Sequence, residues 1–315
     1  MQLNLRAAAL CESLLAEAQR LKIVVQRRDD GGMTIDLGIQ SPGGLEAGRR
    51  LAEICLAGLG EVTIVPGRSD IWSGPAVQVR TDQPVAACMA SQYAGWQIAG
   101  EKFFAMGSGP MRAAAGKEAI FAKIGHTERP DLAVGVLETR KLPPAAICED
   151  VARQCDVDPT KLTLLAAPTA SQAGNVQVVA RSVETALHKL FELGFDLAKV
   201  ESGYGIAPLP PVAADDMAGI GRTNDAILYG AEVTLWVKSA DDELATIGPR
   251  VPSSASSDHG QPFAAIFERA GRDFYKIDPL LFSPAVITFV NVTTGRLFRF
   301  GRIAPEVLQK SFGAG

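Results

Sequence analysis

Two short β-type runs, 22–26 and 33–37, flank the polar turn Arg28-Asp29-Asp30-Gly31-Gly32 near the start of the chain. A polar turn with paired glycines between two apolar runs marks a hairpin, and a hairpin joins antiparallel neighbours. Most of the remaining chain alternates strand-type and helix-type segments, the pattern of α/β proteins. The early hairpin rules out a wholly parallel sheet, so the expected fold is α/β with mixed sheets and some α+β character.

Apolar residues recur at helical spacing over 3–21, 45–56, 85–94, 111–122, 146–155, 175–194, 215–228 and 262–269. Strand-type runs cover 61–65, 76–79, 97–105, 132–138, 163–167, 199–206 and 232–237, and 285–292 with 297–300 form a terminal pair around Thr294-Gly295. At 315 residues the chain is long for one core and suits two domains. Lys141-Leu142-Pro143-Pro144 breaks the pattern in mid-chain, so the division is placed between 1–142 and 143–315, both mixed α/β.

The formal net charge of −4 and the lack of basic runs beyond Arg27-Arg28 and Arg49-Arg50 argue against nucleic acid as a partner. Five cysteines, Cys11, Cys55, Cys88, Cys148 and Cys155, lie scattered through apolar patterns and read as reduced core residues. Arg6 and Glu12 interrupt the first apolar segment, and no window approaches twenty uncharged apolar residues. No signal peptide and no membrane span are expected, which places the protein in the cytoplasm.

The segment Asn175 to Gly194, NVQVVARSVETALHKLFELG, carries Arg181 and Glu184 three apart in an apolar helix pattern. That spacing sets a guanidinium and a carboxylate on one helix face. Exposed pairs of this kind are common and worth less than about 1 kcal/mol, so the spacing alone makes the two residues candidates only. Ser171, Gln172 and Asn175 stand at the helix entrance, where unsatisfied N–H groups can meet a ligand. Met106-Gly107-Ser108-Gly109-Pro110 is either a close backbone approach to a ligand or a tight turn with Pro at the first helical position. It is neither a phosphate-binding P-loop nor a GxSxG elbow. His126, His188 and His259 show no ligand spacing, so no metal is expected.

These segments, with AAPTASQAGN, SGYGIAPLPPVAADDMAGIGRTNDAILYG, ASQYAGWQ and FFAMGSGPMRA, resemble the methenyltetrahydromethanopterin cyclohydrolases of methanogens and methylotrophic bacteria. The resemblance runs on through DFYKIDPLLFSPA to the closing LQKSFG. It implies addition of water to the methenyl bridge of a cationic pterin coenzyme, methenyl-tetrahydromethanopterin or its dephospho form, giving the 5-formyl derivative. It further implies Glu184 and Arg181 as the catalytic pair, a homotrimer without metal or cofactor, and a substrate cleft between two α/β domains. In that setting one carboxylate, Glu184, can act as base toward water and then as acid, with Arg181 favouring its charged form. Asn224 and Asp225 match the donor and acceptor edge of a pterin, although Thr223 or Asn224 can equally cap a helix. Tyr93 and Trp96 offer aromatic faces, Trp96 equally as a core residue, and Gln97 stands where relatives vary and lysine is among the expected residues. Two other readings remain, a pterin carrier without turnover and a formyltransferase-like enzyme with a second acceptor.

Overall fold

The computed structural model describes residues 1–271 and 276–313. Asp273, Phe274 and Tyr275 of the DFYKIDPLLFSPA segment lie outside the described residues. The strands are β1 (Val24–Arg27), β2 (Met33–Asp36), β3 (Glu61–Val65), β4 (Ala76–Thr81), β5 (Trp96–Gly100), β6 (Phe103–Ser108), β7 (Ala133–Glu138), β8 (Leu162–Ala167), β9 (Val200–Pro208), β10 (Glu232–Val237), β11 (Val286–Asn291) and β12 (Leu297–Gly301). They form two six-stranded mixed sheets in two compact units, so the α/β class with mixed sheets holds.

The first unit comprises Met1–Gly60 and Ala86–Gln177, and its sheet runs β1-β2-β8-β7-β6-β5. The expected hairpin β1–β2 is present, β2, β8 and β7 are parallel, and β6 and β5 continue antiparallel. Side chains of β7 and β8 alternate between two cores. Val134, Val136, Leu165 and Ala167 pack with helices Leu3–Ala16 and Leu45–Cys55, while Ala133, Leu137, Leu162, Leu164 and Ala166 pack with helix Ala145–Gln154. Strands buried on both faces read as continuous apolar runs, as here. Helix Ala145–Gln154 is the crossover from β7 to β8, and extended Pro144 is its N-cap. The Pro143-Pro144 break is thus a helix entry, and a cut after Leu142 would divide the first sheet, because β8 lies between β2 and β7.

The second unit comprises Glu61–Val85 and Val178–Gly315, with a sheet ordered β12-β11-β10-β9-β4-β3. Only β10 and β11 are parallel in it. The chain therefore enters this unit twice, first for the β3–β4 hairpin.

Several elements differ from expectation. The run 97–105 is a hairpin, β5 and β6, because polar Glu101-Lys102 turns the chain inside an otherwise apolar stretch. The segment 85–94 forms a π-helix, Val85–Gln92, buried from Ala86 onward. Helix 111–122 stops at Ala115, where Gly116 takes the left-handed conformation at φ +58° and ends it, and resumes as Phe121–Ile124. Helices Asp241–Ile247 and Pro305–Phe312 carry no expectation from the sequence. All five cysteines are buried as thiols. Among the described residues no helix is long and apolar enough to cross a membrane.

Candidate active site

Arg181 and Glu184 do not share one continuous helix. Helix Gln172–Val179 ends before them and helix Ser182–Glu192 starts between them. Arg181 is the N-cap of the second helix at φ −90°, ψ 9°, and its N–H reaches only three residues back, to Val178 O at 3.2 Å. Thr185 fixes the Arg181 carbonyl twice, with its N–H and its hydroxyl, each at 2.8 Å. Glu184 falls in the first turn. There the backbone N–H groups lack intrahelical acceptors and the helix end favours negative charge, so the carboxylate sits where an anion is stabilised. Arg181 and Glu184 are only 7% and 6% exposed, which removes the reading of a solvated surface pair.

Two glycines of SGYG let this helix start lie so close to the sheet. Helix Ser182–Glu192 packs on β9. A Cβ on Gly203 would stand 2.6 Å from Val183 Cγ1, and one on Gly205 would stand 2.3 Å from Ser182 Oγ. Only a residue without Cβ permits that approach. Ser182 is fully buried, and among the described residues its Oγ has no hydrogen-bond partner.

Asn224 and Asp225 lie in the body of helix Asp216–Gly230, whose N-cap is Asp215, accepting from the Ala218 N–H at 2.9 Å. Capping by Thr223 or Asn224 is thereby corrected. Thr223 Oγ1 donates to Gly219 O and Asn224 Nδ2 to Ile220 O, both at 2.9 Å and one turn back. Asp225 is fully buried and its Oδ1 accepts the N–H of Phe263 at 2.8 Å, which ties down the start of helix Phe263–Arg269. Burial pushes its carboxyl up to about 7, against the Ser311 hydroxyl and the Phe263 N–H, which favour the charged form.

In the first unit, Ser171 caps helix Gln172–Val179. Its Oγ accepts from the Gly174 N–H at 3.0 Å and donates to Pro168 O at 2.8 Å, so the hydroxyl is committed to the fold. Gly38 packs against it, since a Cβ there would lie 2.7 Å from Ser171 Oγ. Asp36 holds that loop, its carboxylate accepting the N–H groups of Gly38, Ile39, Gln40 and Ser41 at 2.7–2.9 Å. Gln172 is exposed and Asn175 is buried at the same helix entrance.

Ser108 is buried, 3.3 Å from Cys55 Sγ and 3.4 Å from Val136 O. Gly109 follows at φ +88° with its N–H bonded to Ser91 O at 2.8 Å, which requires glycine at that point of the turn. Tyr93 leaves the end of the π-helix and lies under the guanidinium of Arg112, 4.9 Å from the ring centroid. Gln97 is exposed on the edge strand β5, and Trp96 is half-buried against the core, as its core reading expects. Tyr93, Ser108 and Gly109 thus form one group around the π-helix, and the Ser171, Gln172 and Asn175 group adjoins it, Gln177 Nε2 of the same helix donating to Cys55 Sγ at 3.7 Å beside Ser108. Arg112 has no signal in the sequence beyond being a lone cation in MRAAA, yet it organises the first of these groups.

A family model described as Cyclohydrolase (MCH) matches residues 2–312. The chain belongs to this cyclohydrolase family. It is 50% identical over 289 residues to the methenyltetrahydromethanopterin cyclohydrolase of Rhodopirellula baltica, a match covering 90% of this chain and 86% of the relative. With the protein of the same name from Methylobacillus flagellatus it is 46% identical over 304 residues, 96% and 93% of the two chains. With that of Methanococcoides burtonii it is 40% identical over 315 residues, 99% and 98%. Membership of the cyclohydrolase family thus rests on the whole length and not on one motif.

His188 lies 3.7 Å from Glu192, and burial lowers its pKa. His259 packs on the Tyr229 ring at 4.9 Å, and His126 follows helix Phe121–Ile124. Among the described residues no three His, Cys, Asp or Glu side chains gather as a metal site would need.

Proposed function

We propose that the chain adds water to the methenyl bridge of 5,10-methenyl-tetrahydromethanopterin, or of its dephospho form, with Glu184 carrying the protons and Arg181 holding it. As a member of its family the chain is a hydrolase that opens a cyclic amidine C–N bond. The methenyl carbon belongs to an amidinium-like cation, electrophilic but stabilised by resonance. Water oxygen forms the new C–O bond while Glu184 takes one of its protons. The C–N bond then breaks, Glu184 delivers its proton to the departing nitrogen, and the second proton of water is released as the formyl group forms. A carboxylate also attracts the cation before reaction. Arg181 is fixed as a cation and can orient one carboxylate oxygen, leaving the other for water.

The observation that carries this assignment is the burial of Arg181 and Glu184 on either side of a helix start. An acid and a base withdrawn from solvent to that degree need a task that offsets their desolvation. Tyr93, Gln97, Gln172, Asn175 and Asn224, with the backbone at Ser108-Gly109, supply the contacts to the coenzyme. Ser171 and Asp225 contribute by holding the helices that carry those contacts. The enzyme works without a cofactor, as a homotrimer in the cytoplasm.

Purified protein is mixed with methenyl-tetrahydromethanopterin and, separately, with the folate analogue. The reading requires loss of the methenyl absorbance in the first mixture and not in the second. Binding without loss of absorbance would mark a carrier, and turnover that requires a second acceptor would mark a formyltransferase.

A further inference from the structure

Arg112 is fully buried, and each of its side-chain nitrogens is engaged. Nε and Nη2 donate to the two carboxylate oxygens of Glu118 at 2.7 and 2.8 Å. Nη1 donates to Met89 O at 2.9 Å and to Ser91 O at 3.3 Å. Those two carbonyls belong to the last turn of the π-helix Val85–Gln92. A helix end leaves carbonyls without intrahelical donors, and buried carbonyls need partners. Arg112 supplies them, and the Gly109 N–H shares Ser91 O at 2.8 Å. The same guanidinium lies over the rings of Tyr93 and Phe121, at 4.9 and 5.3 Å from the centroids.

Glu118 reaches further. A Cβ on Gly95 would stand 1.8 Å from Glu118 Oε2 and 2.6 Å from Tyr93 Cε1, so Gly95 is bare because the carboxylate and the ring occupy that space. Arg112 comes from FFAMGSGPMRA, and Tyr93 and Gly95 come from ASQYAGWQ. The guanidinium of Arg112 joins these two neighbouring segments, and Glu118 holds the guanidinium in place. Buried ion pairs are poor stabilisers compared with apolar residues of similar volume, and their best attested use is to specify one arrangement.

We infer that the Arg112–Glu118 pair is a positioning device for substrate recognition, fixing the Tyr93 ring and the end of the π-helix against which the pterin is held. This rests on the reading that Tyr93 faces the coenzyme. The nitrogens of Arg112 are all spent on Glu118 and on backbone carbonyls, so the pair sets binding and leaves the proton transfers to Glu184.

Two variants test it without removing the buried cation. Gly95→Ala places a methyl group where the carboxylate tip and the Tyr93 ring lie, at a half-buried position without left-handed backbone. Glu118→Gln keeps the shape and removes the charge that balances Arg112. Steady-state kinetics with methenyl-tetrahydromethanopterin are measured beside urea unfolding and the pH profile of kcat. KM is expected to rise on the order of 10-fold in both variants, with kcat within about twofold and its pH profile unmoved. Wild-type KM in both variants overturns the inference, as does a lowered unfolding midpoint with KM unchanged, which marks a structural brace. A loss of kcat at unchanged KM overturns it too. A wild-type chain inert toward the coenzyme sinks the functional reading and this inference with it, whereas an active wild type whose variants keep their KM sinks the inference alone.

Discussion

Replacing Gly205 by alanine puts a methyl group 2.3 Å from Ser182 Oγ and 3.1 Å from both Ser182 Cβ and Val183 Cγ2. Carbon atoms pack comfortably at about 3.5–4.0 Å, so the first turn of helix Ser182–Glu192 must withdraw by roughly half an ångström to one ångström. Overpacking of this kind costs about 1–3 kcal/mol, which a two-unit protein of this size survives. Arg181 and Glu184 flank the displaced residues and move with them. Misplacing a reacting group by about 1 Å costs on the order of 100-fold, so turnover of Gly205→Ala is expected to fall by about 10- to 100-fold in a folded protein. Ser182→Ala removes the nearest clashing atom, and because that hydroxyl has no partner among the described residues its loss alone costs less than about 1 kcal/mol. The double variant is therefore expected to recover part of both stability and turnover, with a coupling on the order of 1 kcal/mol. The assay is loss of methenyl absorbance together with urea unfolding for the four proteins of the cycle. Wild-type turnover in Gly205→Ala, or strict additivity across the cycle, would refute the account of how the glycines seat the helix.

Asp225 gives a pH signature of opposite sign to that of an ion-paired acid. With its carboxyl raised from 3.8 to about 7, the folded protein holds a proton that the unfolded chain releases, so stability falls as pH rises through that window and levels off above it. Asp225→Asn keeps an acceptor for the Phe263 N–H but cannot titrate, and urea unfolding should show a flatter pH dependence and a gain on the order of a few kcal/mol at pH about 8; parallel curves for the two proteins would contradict this. Because Glu184 carries both proton transfers in the proposed reaction, exhaustive chelation should leave turnover unchanged, and a loss that added metal restores would overturn the claim.

Much of the fold was legible because its signals are local. Glycines in the 28–32 turn announced β1–β2, and the alternating run 232–237 is β10 as observed. What escaped depends on partners distant in sequence. No Gly or Pro marks the break at Ala180-Arg181, and the π-helix Val85–Gln92 reads as any small-residue helix until Arg112 and Gly109 are seen capping its carbonyls. Pro143-Pro144 looks the same in sequence whether it opens a linker or a crossover helix. At the proposed site, Arg181 and Glu184 stand out in the sequence as a residue pair, whereas their placement across a helix start does not. Ser171 illustrates the converse, a polar residue at a helix entrance whose hydroxyl is spent on capping.

The central claim is that Glu184 moves the protons, and Glu184→Gln tests it most directly. Glutamine keeps the shape and an acceptor in the first turn of the helix but cannot act as a base. Followed by loss of methenyl absorbance, with urea unfolding to show an intact fold, this variant is expected to turn over slower by a factor on the order of 100 or more. Near-normal turnover in a folded Glu184→Gln protein would contradict the account and return Arg181 and Glu184 to a purely structural role.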